Sequence, residues 1–307
     1  MEQKEINALI RLLDDPDEEI YSHVKDKFIS LGESIVPLLE NVWESGDPFN
    51  DVVQTRIENI IQKIQFSKVK EELKTWANTE NNKILDGAII IAKYQYPDLD
   101  TSKIEKKINQ MMQDIWLEIN DNLTAVEKVK VINHIFYEIH RFGPNTTNIH
   151  SPQNSFINHV IETKKGNPLS LSIIYMSIAQ KLGLPIYGVN LPQHFVMAFV
   201  DEFADIAKKN KVNIEELLND KDYSSVLFYI NPLTRGAVFP KRDIEIFLNH
   251  LKIPHDKKFF EPSSNNEMAI RIINNLIFSY EKAAFPGKKE DLLELKSVIE
   301  NVNGIIS

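Results

Sequence analysis

Residues 154–201 read NSFINHVIETKKGNPLSLSIIYMSIAQKLGLPIYGVNLPQHFVMAFVD, and they contain the strongest secondary-structure signals of the chain. Asn167 is a favourable helix N-cap, and Pro168 suits the first helical position, where a missing N–H leaves no helical hydrogen bond unmade. Apolar residues then continue with few interruptions to Leu182, which predicts a buried central helix. Gly183 ends this helix, because glycine readily adopts the left-handed conformation of a C-cap.

Two strands are predicted to follow the central helix. Residues 186–191 and 194–200 have the apolar, strand-like character of a hairpin, and Pro192 and Gln193 supply the turn between them. His194 therefore stands at the start of the second strand. The sequence predicts a buried helix that leads into a β-hairpin.

Composition is ordinary for a globular protein and excludes some classes of function. The chain has 307 residues, of which 43% are hydrophobic and 26% charged, and its net charge is −9. This acidic balance argues against a general nucleic-acid binder, because phosphate binding needs a basic surface. Neither a signal peptide nor an apolar run long enough to span a bilayer is visible, so we expect a cytoplasmic protein with no membrane partner.

The chain contains no cysteine, which excludes disulfides, thiolate metal sites and thiol nucleophiles together. His134 and Glu138 stand four residues apart on a predicted helix and form the pattern of a partial metal site. No HExxH motif or third ligand accompanies them, so we expect a solvated pair. The sequence predicts neither a metal nor another cofactor.

The segments that flank the central stretch are predicted to be mostly helical. On the N-terminal side, apolar residues at helical spacing predict helices within residues 4–45 and over 50–65, 67–78, 83–95, 101–119 and 124–140. On the C-terminal side, the predicted elements are an exposed helix over 204–219, a strand over 225–231, a helix over 240–251 and a helical hairpin over 267–284 and 288–302. The three tryptophans are expected in the core: Trp43, Trp76 and Trp116.

The central stretch resembles the SirB-type transglutaminase-like family. The residues that carry the resemblance are Asn154, Ser155, Phe156, Val160, Gly166, Pro168, Ser170, Leu171, Gly183, Leu184, Pro185, Gly188, Val189, Pro192, His194 and Phe195. A second block, Ile230-Asn231-Pro232-Leu233-Thr234-Arg235-Gly236, is similar to a second motif of that family. The match over 154–199 is long and specific, and weaker similarity extends from about residue 100 to 300.

The resemblance implies an α+β, mostly helical fold with a transglutaminase-like (papain-like) core, in which a central helix lies on a small antiparallel sheet. An all-α N-terminal domain and a C-terminal helical hairpin are expected to flank this core. Residues 1–100 are similar to a HEAT-type helical domain, 101–262 correspond to the SirB-type core, and 263–307 resemble a tetratricopeptide-like helical pair.

The resemblance also implies a site. In active transglutaminase-like proteins a cysteine at the start of the central helix is activated by a histidine on a strand, and a third polar group orients that histidine. Carried over to this sequence, the nucleophile position falls on Pro168, the histidine position on His194 and the orienting acid position on Asn231. Because the chain has no cysteine, the usual thiol chemistry is impossible here. Asn231 can still bond the histidine, as a neutral partner.

The favoured hypothesis is a catalytically degenerate transglutaminase-like protein that acts as a protein-binding or regulatory module. Its partner would be a protein or peptide held in the vestigial cleft or on the helical flanks. The residues expected to line the pocket are Asn154, Asn167, Pro168 and Gln193.

Two alternatives stay open at this level. In a hydrolase or acyl-transferase, Ser170 (or Ser172) would be the nucleophile, His194 the base and Asn231 the orienting group, with the helix N-terminus stabilising an oxyanion. Ser170 also suits a purely structural role, as a first-turn serine that satisfies backbone donors. The second alternative is a structural scaffold built on the helical-repeat segments.

Overall fold

The computed structural model describes residues 3–45, 51–201, 225–283, 286–302 and 304. The chain forms two compact units, Met1–Thr75 and Trp76–Ser307. The helix predicted over 204–219 lies outside the described residues. These two units are defined by compactness, whereas the three segments 1–100, 101–262 and 263–307 were expected from resemblance to families. The three-segment division therefore stays a prediction.

The first unit is helical in its described residues. Its elements are α1 (Gln3–Arg11), α2 (Glu18–Leu31), α3 (Val36–Ser45) and the N-terminal part of α4 (Asp51–Asn78). Its core is a cluster of buried side chains from the helices and from the short turns between them: Leu13, Val24, Phe28, Ile35, Leu39, Ile57, Ile60 and Ile64.

The helix α4 corrects one prediction, since the two helices expected over 50–65 and 67–78 form a single element. Neither proline nor glycine occurs within Asp51–Asn78, so no residue in it forces the backbone to break. Ile64, Val69 and Leu73 are buried on both sides of the expected break, which shows that the apolar stripe continues.

The second unit contains the remaining helices and the strands. Its described helices are α5 (Ile84–Lys93), α6 (Thr101–Trp116), α7 (Ala125–Asn133), α8 (Ile157–Thr163), α9 (Pro168–Lys181), α10 (Lys241–His250), α11 (Asn265–Lys282) and α12 (Pro286–Val302). A π-helical turn, His134–Ile139, continues α7. The helices α11 and α12 pack against each other as a hairpin, and α11 also contacts α5 and α9.

The helix α9 is the buried central helix that the sequence predicts. Every residue from Leu169 to Ala179 is buried, and α5, α6 and α8 pack against it on the helical side. Its ends follow local rules, since Asn167 is the N-cap with Pro168 next to it. Gly183 then adopts a φ of +75° just beyond the last turn.

The main sheet is antiparallel and packs on α9 through its first two strands. Its strands follow chain order: β3 (Ile186–Asn190), β4 (Phe195–Val200), β5 (Val226–Asn231) and β6 (Ala237–Phe239). The predicted hairpin is β3 and β4, with Gly188 opposite Met197, and β5 matches the third predicted strand. The α+β, mostly helical architecture expected from the sequence is confirmed.

The shortest strands have no counterpart among the predicted elements. The strands β1 (Gly143–Pro144) and β2 (Lys165–Gly166) form a parallel pair of two residues each, and β6 has three residues. Segments this short carry no usable alternation of apolar and polar residues, so periodicity does not reveal them.

The expectation that all three tryptophans lie in the core is wrong for two of them. Trp76 is buried and donates from Nε1 to the oxygen of Lys83. Trp116, at the end of α6, is 66% exposed, because the buried stripe of that helix ends at the preceding residue, Ile115. Trp43 is 39% exposed and donates to the Glu58 carboxylate.

Candidate functional site

The start of α9 is closed by a reciprocal pair of hydrogen bonds. Asn167 Oδ1 accepts from the backbone nitrogen of Ser170 at 2.9 Å, and Ser170 Oγ accepts from the backbone nitrogen of Asn167 at 3.0 Å. This capping box satisfies the Ser170 N–H, which the first turn would otherwise leave free, and gives the Asn167 N–H a side-chain acceptor.

The Ser170 hydroxyl proton is directed into the protein. Ser170 Oγ donates to the backbone oxygen of Asn154 at 2.7 Å and lies 3.1 Å from the oxygen of Asn167, and the residue is only 3% exposed. Ser172, the other serine considered as a nucleophile, is fully buried, and its Oγ has no hydrogen-bond partner among the described residues. Both hydroxyls therefore belong to the packed interior.

Asn154 anchors the loop that precedes α8. Its Nδ2 donates to the oxygens of Asn148 and Ile149 at 2.7 and 3.3 Å, while its Oδ1 accepts from Asn145 Nδ2 at 2.9 Å. The side-chain amide of Asn167 is also hydrogen-bonded within the protein, since its Nδ2 donates to Ser155 Oγ at 2.9 Å. These amides hold the loop against the start of α9.

A cleft of about 190 Å³ opens beside this network, and we call it the α9 cleft. It brings the four predicted pocket residues together, Asn154, Asn167, Pro168 and Gln193. The other residues that line it are Ile149, His150, Ser151, Ser155, Leu169, Phe195, Arg271, Asn275, Phe278 and Ser279. Whether the four predicted residues bind a partner stays a prediction.

One wall of the α9 cleft comes from α11, a helix that the sequence predicts only as part of a hairpin flanking the core. Arg271, Asn275 and Phe278 fall at i, i+4 and i+7 and so share one face of the helix. The signal in the sequence was two polar residues and an aromatic one on a single face of this amphipathic helix. The sequence around these residues does not indicate which element packs against that face of the helix.

His194 and Asn231 line a second cavity, of about 310 Å³, which we call the His194 cavity. The His194 side chain is exposed, and its ring lies edge-on to Phe247 with the centroids 4.9 Å apart. Asn231 Oδ1 accepts from the backbone nitrogen of Leu233 at 2.9 Å and thereby caps a short helical turn. Ser170 is not part of the lining of either cavity.

The weak metal pattern noted in the sequence is an exposed pair. His134 Nδ1 lies 3.0 Å from Glu138 Oε2, and both side chains are about half exposed. Throughout the part of the chain that the structure describes, no group of three or more histidine or acidic side chains could hold a metal ion. Over the same residues, no helix has the length and apolar character required to cross a membrane.

Arg271 is the permanent cation of the α9 cleft. One of its terminal nitrogens, Nη1, donates to the oxygen of Leu191 at 2.8 Å and to Asn190 Oδ1 at 3.2 Å. Burial lowers the pKa of the Arg271 guanidinium below its ordinary value, although an arginine remains charged.

Comparison with known proteins agrees with this architecture. The profile of the transglutaminase-like superfamily matches residues 102–274, more than half of the chain. The chain therefore belongs to the transglutaminase-like superfamily. No solved structure matches it significantly.

Its relatives include proteins named UPF0162. One from Xylella fastidiosa is 29% identical over 114 residues, which cover 37% of this chain and 41% of the relative. One from Buchnera aphidicola is 23% identical over 234 residues, or 75% of this chain and 78% of the relative. F-box only protein 21 of Mus musculus is 23% identical over 162 residues, or 45% of this chain and 26% of the relative. The chain thus matches about two fifths of the Xylella relative's length.

Proposed function

We propose that this protein is a SirB-type transglutaminase-like protein whose catalytic site is degenerate, and that it acts as a protein-binding or regulatory module. The proposal includes the division into a HEAT-like segment (1–100), the core (101–262) and a tetratricopeptide-like hairpin (263–307). It also includes action in the cytoplasm. The absence of cysteine and the presence of Pro168 at the nucleophile position support it.

The observation that carries the proposal is the hydrogen bond from Ser170 Oγ to the oxygen of Asn154. A nucleophilic serine needs a neighbouring base that takes up its proton. A backbone carbonyl accepts a hydrogen bond but does not take up the proton at neutral pH. His194, the base of the alternative mechanism, lines a cavity to which Ser170 does not contribute. A Ser–His–Asn set is therefore disfavoured.

The α9 cleft is the surface on which we place the partner. At about 190 Å³ it lies below the roughly 300–1,000 Å³ of most small-molecule sites. A cleft of this size suits a single side chain or a chain end of a larger partner. Polar groups among apolar walls fix the orientation of a bound group.

Intact-mass analysis after exposure to a serine-reactive fluorophosphonate tests the absence of catalysis. We expect no adduct on the folded protein, because neither Ser170 nor Ser172 has a base in contact. His194→Ala is the matched variant. An adduct on Ser170 that disappears in His194→Ala would establish a working nucleophile and refute the degenerate site.

Site-specific photo-crosslinking tests the binding role. A benzophenone amino acid placed at Gln193, which is exposed and lines the α9 cleft, should crosslink a defined protein in extracts of the source cells. The matched control is the same group at Arg242, an exposed position on α10 that does not line this cleft. The partner must then bind the purified chain. Identical crosslinks from both positions, or none, would contradict the proposal.

A further inference from the structure

The Arg271 guanidinium uses only part of its hydrogen-bonding capacity within the protein. Nη1 donates to Leu191 and Asn190, and the group lies 5.8 Å from the Phe195 ring centroid. Arginine presents five donors in a planar fork, of which Nε and Nη2 form the edge that suits a carboxylate. Neither of these nitrogens has a hydrogen-bond partner among the described residues. The contacts that exist thus hold the side chain in place and leave its binding edge unused.

Within the described ranges Arg271 forms no ion pair, and no aspartate or glutamate lines the α9 cleft. This occurs in a chain with 44 acidic and 35 basic residues. Arg56, the buried arginine of the first unit, shows the contrast, because its Nη2 lies 2.7 Å from the Glu18 carboxylate. A partly buried cation without a counter-ion is costly, so its place in a cleft favours an anionic ligand.

Two further donors lie on the same wall of the cleft as Arg271. Asn275 is one helical turn away and Ser279 two turns away, and both line the cleft. Over the described residues, neither side chain has a hydrogen-bond partner. The amides of Asn154 and Asn167 do not compete with them, because their nitrogens are already bonded within the protein.

We propose that the α9 cleft binds a peptide carboxylate, with the Nε and Nη2 edge of Arg271 as its two-pronged donor. Asn275 and Ser279 supply additional hydrogen bonds, and Phe195 and Phe278 contact the apolar part of the peptide. This inference rests on the proposed binding function and specifies its partner. The carboxylate comes either from a chain end or from a glutamate or aspartate side chain.

Titration of isotope-labelled full-length protein with defined peptides, followed by NMR, distinguishes these sources. The probes are acetyl-Ala-Ala-Ala-Phe as the free acid, the same peptide as its C-terminal amide, acetyl-Ala-Glu-Ala-Phe amide, and its glutamine counterpart. If the free acid shifts the signals of cleft residues and its amide does not, the ligand is a chain end. If only the glutamate amide does so, the ligand is an acidic side chain.

Variants connect the binding to Arg271. Arg271→Gln should weaken the binding peptide by roughly 10- to 100-fold, since a hydrogen bond to a charged group contributes about 1.5–3 kcal/mol. Arg242→Gln removes the same charge outside the cleft and should leave affinity unchanged. If Arg271→Gln does not fold, Arg271→Lys retains the charge without the fork and should still bind more weakly than wild type.

The inference is overturned if no free carboxylate shifts cleft signals at millimolar peptide, or if the folded Arg271 variant binds as well as wild type. These results can be told apart from failure of the proposed function. A partner crosslinked at Gln193 whose binding is insensitive to Arg271→Gln would retain the binding module and remove the carboxylate site. A fluorophosphonate adduct on Ser170 would remove the degenerate site, and peptide-induced shifts of cleft residues that Arg271→Gln abolishes would still support the carboxylate site.

Discussion

The Ser170 hydroxyl donates a 2.7 Å hydrogen bond to the backbone oxygen of Asn154, sixteen residues earlier in the chain. Asn167 takes part in the same junction, since its backbone nitrogen lies 3.2 Å from that oxygen. The bond therefore joins the first turn of α9 to the loop that forms one rim of the α9 cleft. The position at which a hydrolase would need a reactive hydroxyl is occupied by a structural one.

Ser170→Ala should destabilise the second unit. The change removes one of the two acceptors of the Asn167 N–H and one donor to the Asn154 oxygen, at a site that is almost fully buried. We expect a loss of about 1–3 kcal/mol in the free energy of unfolding, measured by urea denaturation. Ser177→Ala is the control on the same helix, because Ser177 Oγ bonds only the oxygen of Ile173, one turn back. Equal losses for the two variants would contradict this account.

Gly236→Ala should be poorly tolerated. Gly236 has a φ of +72°, and a Cβ built there would lie 1.9 Å from Asn133 Oδ1. Asn133 cannot easily retreat, because its Oδ1 accepts from the Tyr175 hydroxyl at 2.9 Å and its Nδ2 donates to the Gly236 oxygen at 2.8 Å. Backbone strain and overpacking together predict a loss of about 2–4 kcal/mol in the free energy of unfolding.

Gly183→Ala is the matched control for that substitution. Gly183 also has a positive φ, of +75°, but its added Cβ would meet no atom within 4 Å. Only the backbone strain of about 1–2 kcal/mol is expected there. Urea denaturation of both variants separates backbone strain from overpacking. If Gly236→Ala is no less stable than Gly183→Ala, the Asn133 side chain moves away from the added Cβ, and the overpacking prediction is wrong.

Ionisation of Tyr280 should contribute to the change in the free energy of unfolding at alkaline pH. Burial, and then the neighbouring Tyr96, raise the pKa of Tyr280 from 10.0 to about 12, and its hydroxyl donates to Gln95. As pH rises from about 10 to about 12, the unfolded chain loses this proton before the folded one does. The folded state then binds more protons, so the free energy of unfolding falls as pH increases.

Tyr280→Phe should make this fall less steep, as measured by urea denaturation at a series of pH values above neutrality. The slope is not expected to disappear, since burial raises the pKa of several other tyrosines: Tyr94, Tyr96, Tyr137, Tyr175 and Tyr229. Superimposable profiles for wild type and Tyr280→Phe would show that Tyr280 ionises alike in both states.

Arg56→Met should weaken the first unit. The Arg56 guanidinium donates to the oxygens of Leu13 and Asp15 at 3.0 and 2.7 Å, and pairs with Glu18. Losing these bonds predicts a decrease of about 2–4 kcal/mol in local stability, measured by hydrogen exchange of the amides of α2 and α4. Arg11→Met, on the exposed part of α1, should change it by less than about 0.5 kcal/mol. Unchanged exchange in Arg56→Met would contradict the prediction.

Elements with strong local signals could be predicted from the sequence with their bounds nearly correct. The helix α9 begins at the Asn167–Pro168 cap and ends before Gly183, as expected from capping preferences. The hairpin of β3 and β4 follows with the predicted turn. These features depend on interactions between residues that are close together in the chain, so a short stretch of sequence is enough to predict them.

Only part of the candidate site could be predicted from the sequence. The four predicted pocket residues line one cleft because they all lie near the start of α9 or in the hairpin turn that follows it. The separation of Ser170 from the cavity of His194 and Asn231 was not predictable, since a shared motif gives order along the chain and not the direction of a hydroxyl. The exposure of Trp116 could not be predicted for a similar reason. Burial depends on which face of a helix packs against another element.

The amino-acid sequence is enough to predict the mostly helical α+β class, the buried central helix and the hairpin, and it excludes a thiol nucleophile. The contact of Arg271 with the oxygen of Leu191, eighty residues away, and its place in the α9 cleft come from the packing of the folded chain. This difference arises from the range of the interactions. Caps, turns and periodicity act within a few residues, whereas the walls of a cleft are set by packing between elements that are distant in the chain.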